Sequence, residues 1–309
     1  MSITRFPNGL SSFGVPVLGS GMQVPPSDGN YYFVNSATNI GSNGNDGLSP
    51  TTPFATVAYA ITQTTALNND VIVMMPSHAE TISAAGGWTP LASTAIVGLG
   101  WGASRPKITF SATTSTILVS AANCYFQNFV CTSAIAELVT IFSVSGVECV
   151  INAVDVMETT ALSCITFLTT TAAALRFVVV NCRHNTTTIP VATAAWLSIV
   201  GGDGWTIENN EITVNRANSA VSAIIGTLTP AATNVMIRNN IMSCGTTGAS
   251  RIGVSLFAAT TGIVADNRLF DLGSTAAAGQ FAIANCAGFN NLIVHTVNKS
   301  GMLDPVVDS

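Results

Sequence analysis

The segment "WTIEN" (205–209) alternates apolar and polar positions and ends on asparagine. Its pattern of apolar, any, apolar, any, Asn returns along the chain. "CYFQN" ends at Asn128, "FVVVN" at Asn181, "VMIRN" at Asn239 and "IVADN" at Asn267, and degenerate copies "CVINA" and "LIVHT" end at Ala153 and Thr296. Successive anchors lie 25, 28, 28, 30, 28 and 29 residues apart. A second apolar run sits in each interval, as in "LVTIFSV" (138–144), "CITFL" (164–168), "WLSIV" (196–200), "AVSAII" (220–225), "IGVSLF" (252–257) and "QFAIA" (280–284). Each repeat therefore supplies at least two short strands separated by Gly/Thr/Asn/Ser turns, with no room for a long helix. A period of this size built from strands predicts a solenoid whose turns stack on one another.

Stacked rungs repeat at about 4.8 Å, so equivalent residues should form chemically sensible columns. The predicted anchor column runs Asn128, Ala153, Asn181, Asn209, Asn239, Asn267, Thr296, with the amides stacked at an internal bend where they satisfy each other and the turn backbone. Four residues earlier, Cys124, Cys149, Phe177, Trp205, Val235, Ile263 and Leu292 form an apolar column. Two outward columns alternate in charge: Asp155, Arg183, Glu211, and Glu208, Arg238, Asp266, His295. Opposite charges one rung apart are the cross-strand pairing a sheet prefers, and each exposed pair is worth about 0–1 kcal/mol.

Composition narrows the function classes. Charged residues are 8% of the 309, against about 25% in an average soluble protein. No apolar run approaches the roughly 18 residues of a membrane span, so no membrane role is expected. The net charge is −5 and the ten basic residues are scattered, leaving no basic stripe for nucleic acid. The N-terminus has no basic segment leading into an apolar core, so no secretory signal is read. The seven cysteines form neither a CxxC pair nor a Cys/His cluster at zinc spacing, which predicts reduced, buried thiols and synthesis in a cytosol.

The most polar stretch, Asn39–Pro53, reads as an entry loop. The following "PFATVAYAI" (53–61) suits one short helix with Phe54, Val57 and Ile61 on one face, covering the open end of the solenoid. A calcium loop would draw on Asn43, Asn45 and Asp46, but one carboxylate and no terminal Glu fall short of an EF-hand. "GSNGNDG" lacks the Lys and Ser/Thr of a phosphate loop.

"SNGNDGLSPTTPFATVAYAI", "DVIVMMPSHAETI" (70–82), "AIVGLGWGASRPKITF" (95–110) and the Asn-anchored coils together resemble the pectate-lyase-like, right-handed parallel β-helix proteins. "ITRFPNGLSSFGVP" (3–16) before them is similar to the N-terminal arm of β-helix proteins encoded among the structural genes of tailed bacteriophages. The resemblance implies an all-β parallel β-helix with a short capping helix. The expected organisation is an extended arm (1–30), the β-helix (31–300, cap 39–65, coils about 70–300) and a tail (301–309). It also implies a structural component of a phage virion: a head decoration, minor capsid or fibre/spike protein. The alternative is a tail-associated spike that binds or degrades polysaccharide. Expected partners are two further copies in a homotrimer, capsid or tail proteins through the arm, and a host surface glycan under the alternative; nucleic acid and membranes are not expected.

The candidate chemistry is sparse. Glu208 and Asp266 would stand two rungs apart, about 9–10 Å, a spacing that suits an inverting carboxylate pair. Arg238 between them would keep both ionised, whereas a general acid needs a raised pKa. Asp155 and Glu211 flank Arg183 in the same way. Glu137, Glu148, Glu158, Asp203 and Asp271 are dispersed. His78, beside Glu80, is the best single candidate. His184 reads as a bend residue without an acid partner. No catalytic, cofactor-binding or metal-binding residue is assigned, and no cofactor is expected.

Overall fold

The computed structural model describes residues 11–12, 15–16, 24–158, 162–185, 195–214, 223–244, 252–271, 281–295 and 302–303. Three sheets build the solenoid, each taking one strand per coil where it is present. The first sheet has ten strands, from Tyr31–Val34 through Tyr125–Gln127 and Thr206–Glu208 to Asn285–Phe289. The second also has ten, from Ala79–Ile82 through Arg183–Asn185 to Leu292–His295 and Met302–Leu303. The third has seven, from Ile117–Val119 through Leu138–Val144 to Phe281–Ala282. Strand pairing along the coils is parallel, and Met302–Leu303 returns antiparallel onto the last coil. The chain is thus the predicted all-β parallel solenoid, consistent with a right-handed β-helix, the hand that parallel crossovers favour.

Strand alternation builds the core. In Tyr125–Gln127 only Phe126 is buried, and the same in-facing position holds Ile151, Val179, Ile207 and Ile237 on the next four rungs. Aromatic rings continue the stack across coils. Phe126 meets Phe142 edge-on at 5.4 Å, Phe142 meets Phe167 at 5.4 Å, and Phe167 lies flat on Trp196 at 5.0 Å. Such ring pairs add about 0.5–1.5 kcal/mol each beyond their area burial.

The repeat contains three strands. The third begins just after the anchor asparagine, because that residue turns the corner. Asn128, Ala153, Asn181, Asn209, Asn239, Asp266 and Asn290 all hold left-handed φ, between 51° and 59°, a region that Asn and Asp tolerate better than other side chains do. This corrects the predicted anchor column. Asn181, Asn209 and Asn239 stack as expected but face solvent, and Asn267 belongs to a different column. The internal amide ladder is the next column: Asn210, Asn240, Asn267 and Asn291, all buried. The NH2 groups of Asn210, Asn240 and Asn267 each donate to the next Asn Oδ1, at 2.9, 2.9 and 3.0 Å, and to a main-chain carbonyl one rung away, and that of Asn291 donates to the Val264 carbonyl. A buried amide needs such partners, and a parallel stack supplies them.

The slip has a simple origin. Ladder residues are 30, then 27, then 24 apart, so the coils shorten toward the C-terminus while the sequence pattern "IVADN" mimics a full-length repeat. Gly262 and Cys286, rather than Ile263 and Leu292, therefore follow Val235 in the apolar column. A Cβ at Gly262 would lie 2.0 Å from the Val235 carbonyl, which explains a glycine there, and Ile263 is left exposed. Likewise Arg238 faces Ala265, not Asp266, and His295 pairs in register with Asp271.

The capping helix is Val57–Gln63, with Thr56 as its N-cap. Val57 and Ile61 are buried on the helix as predicted, whereas Phe54, also buried, precedes the helix and bridges to Val34 instead. A second apolar cluster lies on the outer face of the first coils: Tyr31, Phe33, Val71, Val73, Val97 and Leu99 are buried there, and Val24 packs against them. Most of the predicted N-terminal arm and nearly all of the tail lie outside the described residues.

Candidate functional site

His78 and Glu80 meet as the sequence implied, at 3.2 Å, but the carboxylate is fully occupied. Glu80 Oε2 accepts from Val57 N at 2.6 Å, and Oε1 accepts from Ala58 N at 3.3 Å and Trp88 Nε1 at 3.1 Å. The first amides of the capping helix have no partner within the helix. Glu80 supplies one and so anchors the cap to the second sheet, with His78 buried behind it. This corner is structural.

The charged columns also serve the fold. Arg238 pairs with Glu208 at 2.9 Å and Arg183 with Glu211 at 3.3 Å. Asp266 sits instead at a left-handed corner, accepting from Asn290 Nδ2. Asp155 follows the predicted register beside Arg183, yet its ion pair is with Arg105, a mostly buried guanidinium that also donates to the Phe129 and Ala153 carbonyls at 3.1 and 2.6 Å. Glu148 pairs with Arg176 at 2.8 Å. Asp70 accepts from Asn30 N, Thr65 N and Asn68 Nδ2 at 2.7–2.8 Å, tying its own loop (64–70) to the segment that enters the first strand. Hydrogen bonds from Thr233 and Asn234 hold Asp203 below the usual carboxylate range, and those from Thr52 and Leu48 do the same for Asp46. Asn43, Asn45 and Asp46 therefore brace the entry loop.

Burial pushes the Cys131 thiol well up, and the Cys182 thiol to about 12. Thiols held so far above neutral pH are poor nucleophiles.

One corner departs from this pattern. His184 is not at a bend: it is the inward residue of Arg183–Asn185, in a column that starts at Glu80 and, from Ile108 on, otherwise reads Ile108, Cys131, Val156, Ile212, Met242, Leu269 and Ile293. Glu158, just past Asp155–Met157, turns its side chain inside, and both side chains are 1% exposed. Glu158 Oε1 lies 2.9 Å from His184 Nε2 and accepts from Cys164 N at 2.8 Å. Cys164 Sγ is 4.0 Å from the same ring nitrogen. Glu158 Oε2 and His184 Nδ1 have no hydrogen-bond partner. The residue pattern held a signal for this site, since His184 interrupts an apolar column. Glu158 carried none, because a corner carboxylate reads as exposed.

Glu158 also lines a groove of about 440 Å³ on the outer face of the second sheet, shared with Arg105, Lys107, Thr132, Met157 and Leu162. Trp101, next to the groove residues Gly102 and Ala103, is 86% exposed.

No protein-family model matches the chain, and neither does any curated protein. Among solved structures, a rhamnogalacturonan lyase is similar over 85% of this chain and 87% of its own, at 11% identity and a TM-score of 0.39.

Proposed function

We propose that this chain is a structural component of a tailed-bacteriophage particle, a head decoration, minor capsid or fibre/spike protein held by its N-terminal arm. The carrying observation is that the acids of the charged columns and of the His78 corner are occupied by the architecture: Glu80 by the cap, Glu208 and Glu211 by arginines one rung away, Asp155 by Arg105 and Asp266 by Asn290. Each of these carboxylates already accepts from the fold, whereas hydrolysis or lyase chemistry needs an acid or base free to meet a substrate. The resemblance of the arm (3–16) to that of phage β-helix proteins supports the reading. With 8% charged residues and Val139, Met157, Ile241 and Phe289 exposed, the surface favours association, and a homotrimer closes without propagating.

A second reading, a polysaccharide-engaging spike, is favoured by the groove lined by Arg105, Lys107, Thr132 and Met157, with the exposed Trp101 next in sequence to its lining residues Gly102 and Ala103, since a concavity with a few placed polar groups is a recognition surface. Two measurements on one phage separate them. Nonsense mutation of the gene should abolish assembly or stability of the particle, while the purified protein should release no reducing ends from host polysaccharides. Normal particles together with glycan cleavage would overturn the structural reading.

A further inference from the structure

We propose that Glu158, Cys164 and His184 form a binding site for a divalent transition-metal ion of the zinc class. Their donor atoms, a carboxylate oxygen, a thiol sulfur and an imidazole nitrogen, lie within 4.8 Å of one another and are all buried. This mixed set is the one borderline-soft zinc takes, with about 2.0–2.3 Å bonds in a tetrahedron. Those bond lengths place neighbouring donors roughly 3.2–3.7 Å apart. The Nε2–Oε1 distance of 2.9 Å and the Nε2–Sγ distance of 4.0 Å bracket that value, so sub-ångström side-chain shifts suffice.

Two observations argue against a plain buried ion pair or a nucleophilic relay. A relay needs the acid on one ring nitrogen and the thiol on the other; here both address Nε2, and Nδ1 has no partner. A structural carboxylate would have both oxygens filled, as Glu80 does, yet Glu158 Oε2 has none while the side chain is 1% exposed. A cation satisfies that oxygen.

The three donors come from three places on two successive coils: the corner after Asp155–Met157, the first residue of Cys164–Thr170, and Arg183–Asn185. An ion would clamp the second sheet to the third. Because Glu158 also borders the outer groove, the ion can enter from solvent. Three protein donors leave the fourth tetrahedral position for water or a groove-bound ligand. Binding forms the metal–sulfur and metal–nitrogen bonds as the Cys164 thiol proton passes to solvent and the neutral imidazole carries its one proton on Nδ1, leaving Nε2 to ligate.

The test uses the full chain, stripped with chelator and titrated with Co²⁺, then Zn²⁺. The site predicts one equivalent of Co²⁺, a near-ultraviolet thiolate-to-metal band with tetrahedral visible bands, and loss of both on adding Zn²⁺. Cys164→Ser should remove the thiolate band. Glu158→Gln, which keeps the volume and the Oε1 acceptor, should fold normally without metal yet bind Co²⁺ at least about tenfold more weakly. Absence of the thiolate band in the wild type would overturn the proposal. So would its persistence in Cys164→Ser, or unchanged Co²⁺ affinity in Glu158→Gln.

Discussion

Among the described residues two histidine–glutamate pairs are buried, and they differ in how many donors reach the carboxylate. At the cap, Glu80 takes two helix amides, an indole N–H and His78, so neither oxygen is idle. At the other corner, Glu158 takes the Cys164 amide and His184 on one oxygen and nothing on the other. The residue types are the same and both carboxylates are largely buried, Glu80 at 8% and Glu158 at 1% side-chain exposure. Partner count is what separates a carboxylate that holds the fold from one left available for a ligand, because a buried acceptor without a donor carries an uncompensated desolvation cost of about 1–3 kcal/mol.

The sharpest way to break the comparison is the same substitution at both sites. Glu80→Gln replaces an acceptor by an NH2 facing existing donors and should lower the unfolding free energy by about 2–4 kcal/mol in denaturant titration. An effect below 1 kcal/mol would deny Glu80 its anchoring role. The amide ladder extends the rule to neutral groups. Asn240→Ala deletes bonds to Asn210, Asn267 and the Ile207 carbonyl and should cost about 2–3 kcal/mol. Its neighbour Asn239 is exposed at a left-handed corner, and Asn239→Gly should change stability by less than about 1 kcal/mol. Equal losses at the two asparagines would return the ladder to the wrong column. Smallest of all, metal-free Glu158→Gln should stay within about 1 kcal/mol of wild type, since Gln Oε1 still accepts both bonds.

The fold was legible because one strand per coil carries a fixed signature, and "LVTIFSV" (138–144) coincides with an observed strand. Register was legible only where coils keep their length. Beyond Asn240 the ladder spacing falls to 27 and 24, and a matching pentapeptide then points to the wrong residue. The third strand escaped because segments such as "RHN" (183–185) have one inward side chain, too short for alternation to declare itself. The same brevity hid His184, and its acid lies 26 residues away on the preceding coil. His78 and Glu80 were visible through adjacency, but the helix amides that occupy Glu80 come from 22 and 23 residues upstream. Proximity in sequence found the pair and could not show its use.

Quantitative mass spectrometry of purified particles tests the central claim most directly. A structural role predicts this chain in every particle, at a reproducible copy number divisible by three, resisting high-salt washing. Its absence from infectious particles would contradict the account, whatever the isolated solenoid binds.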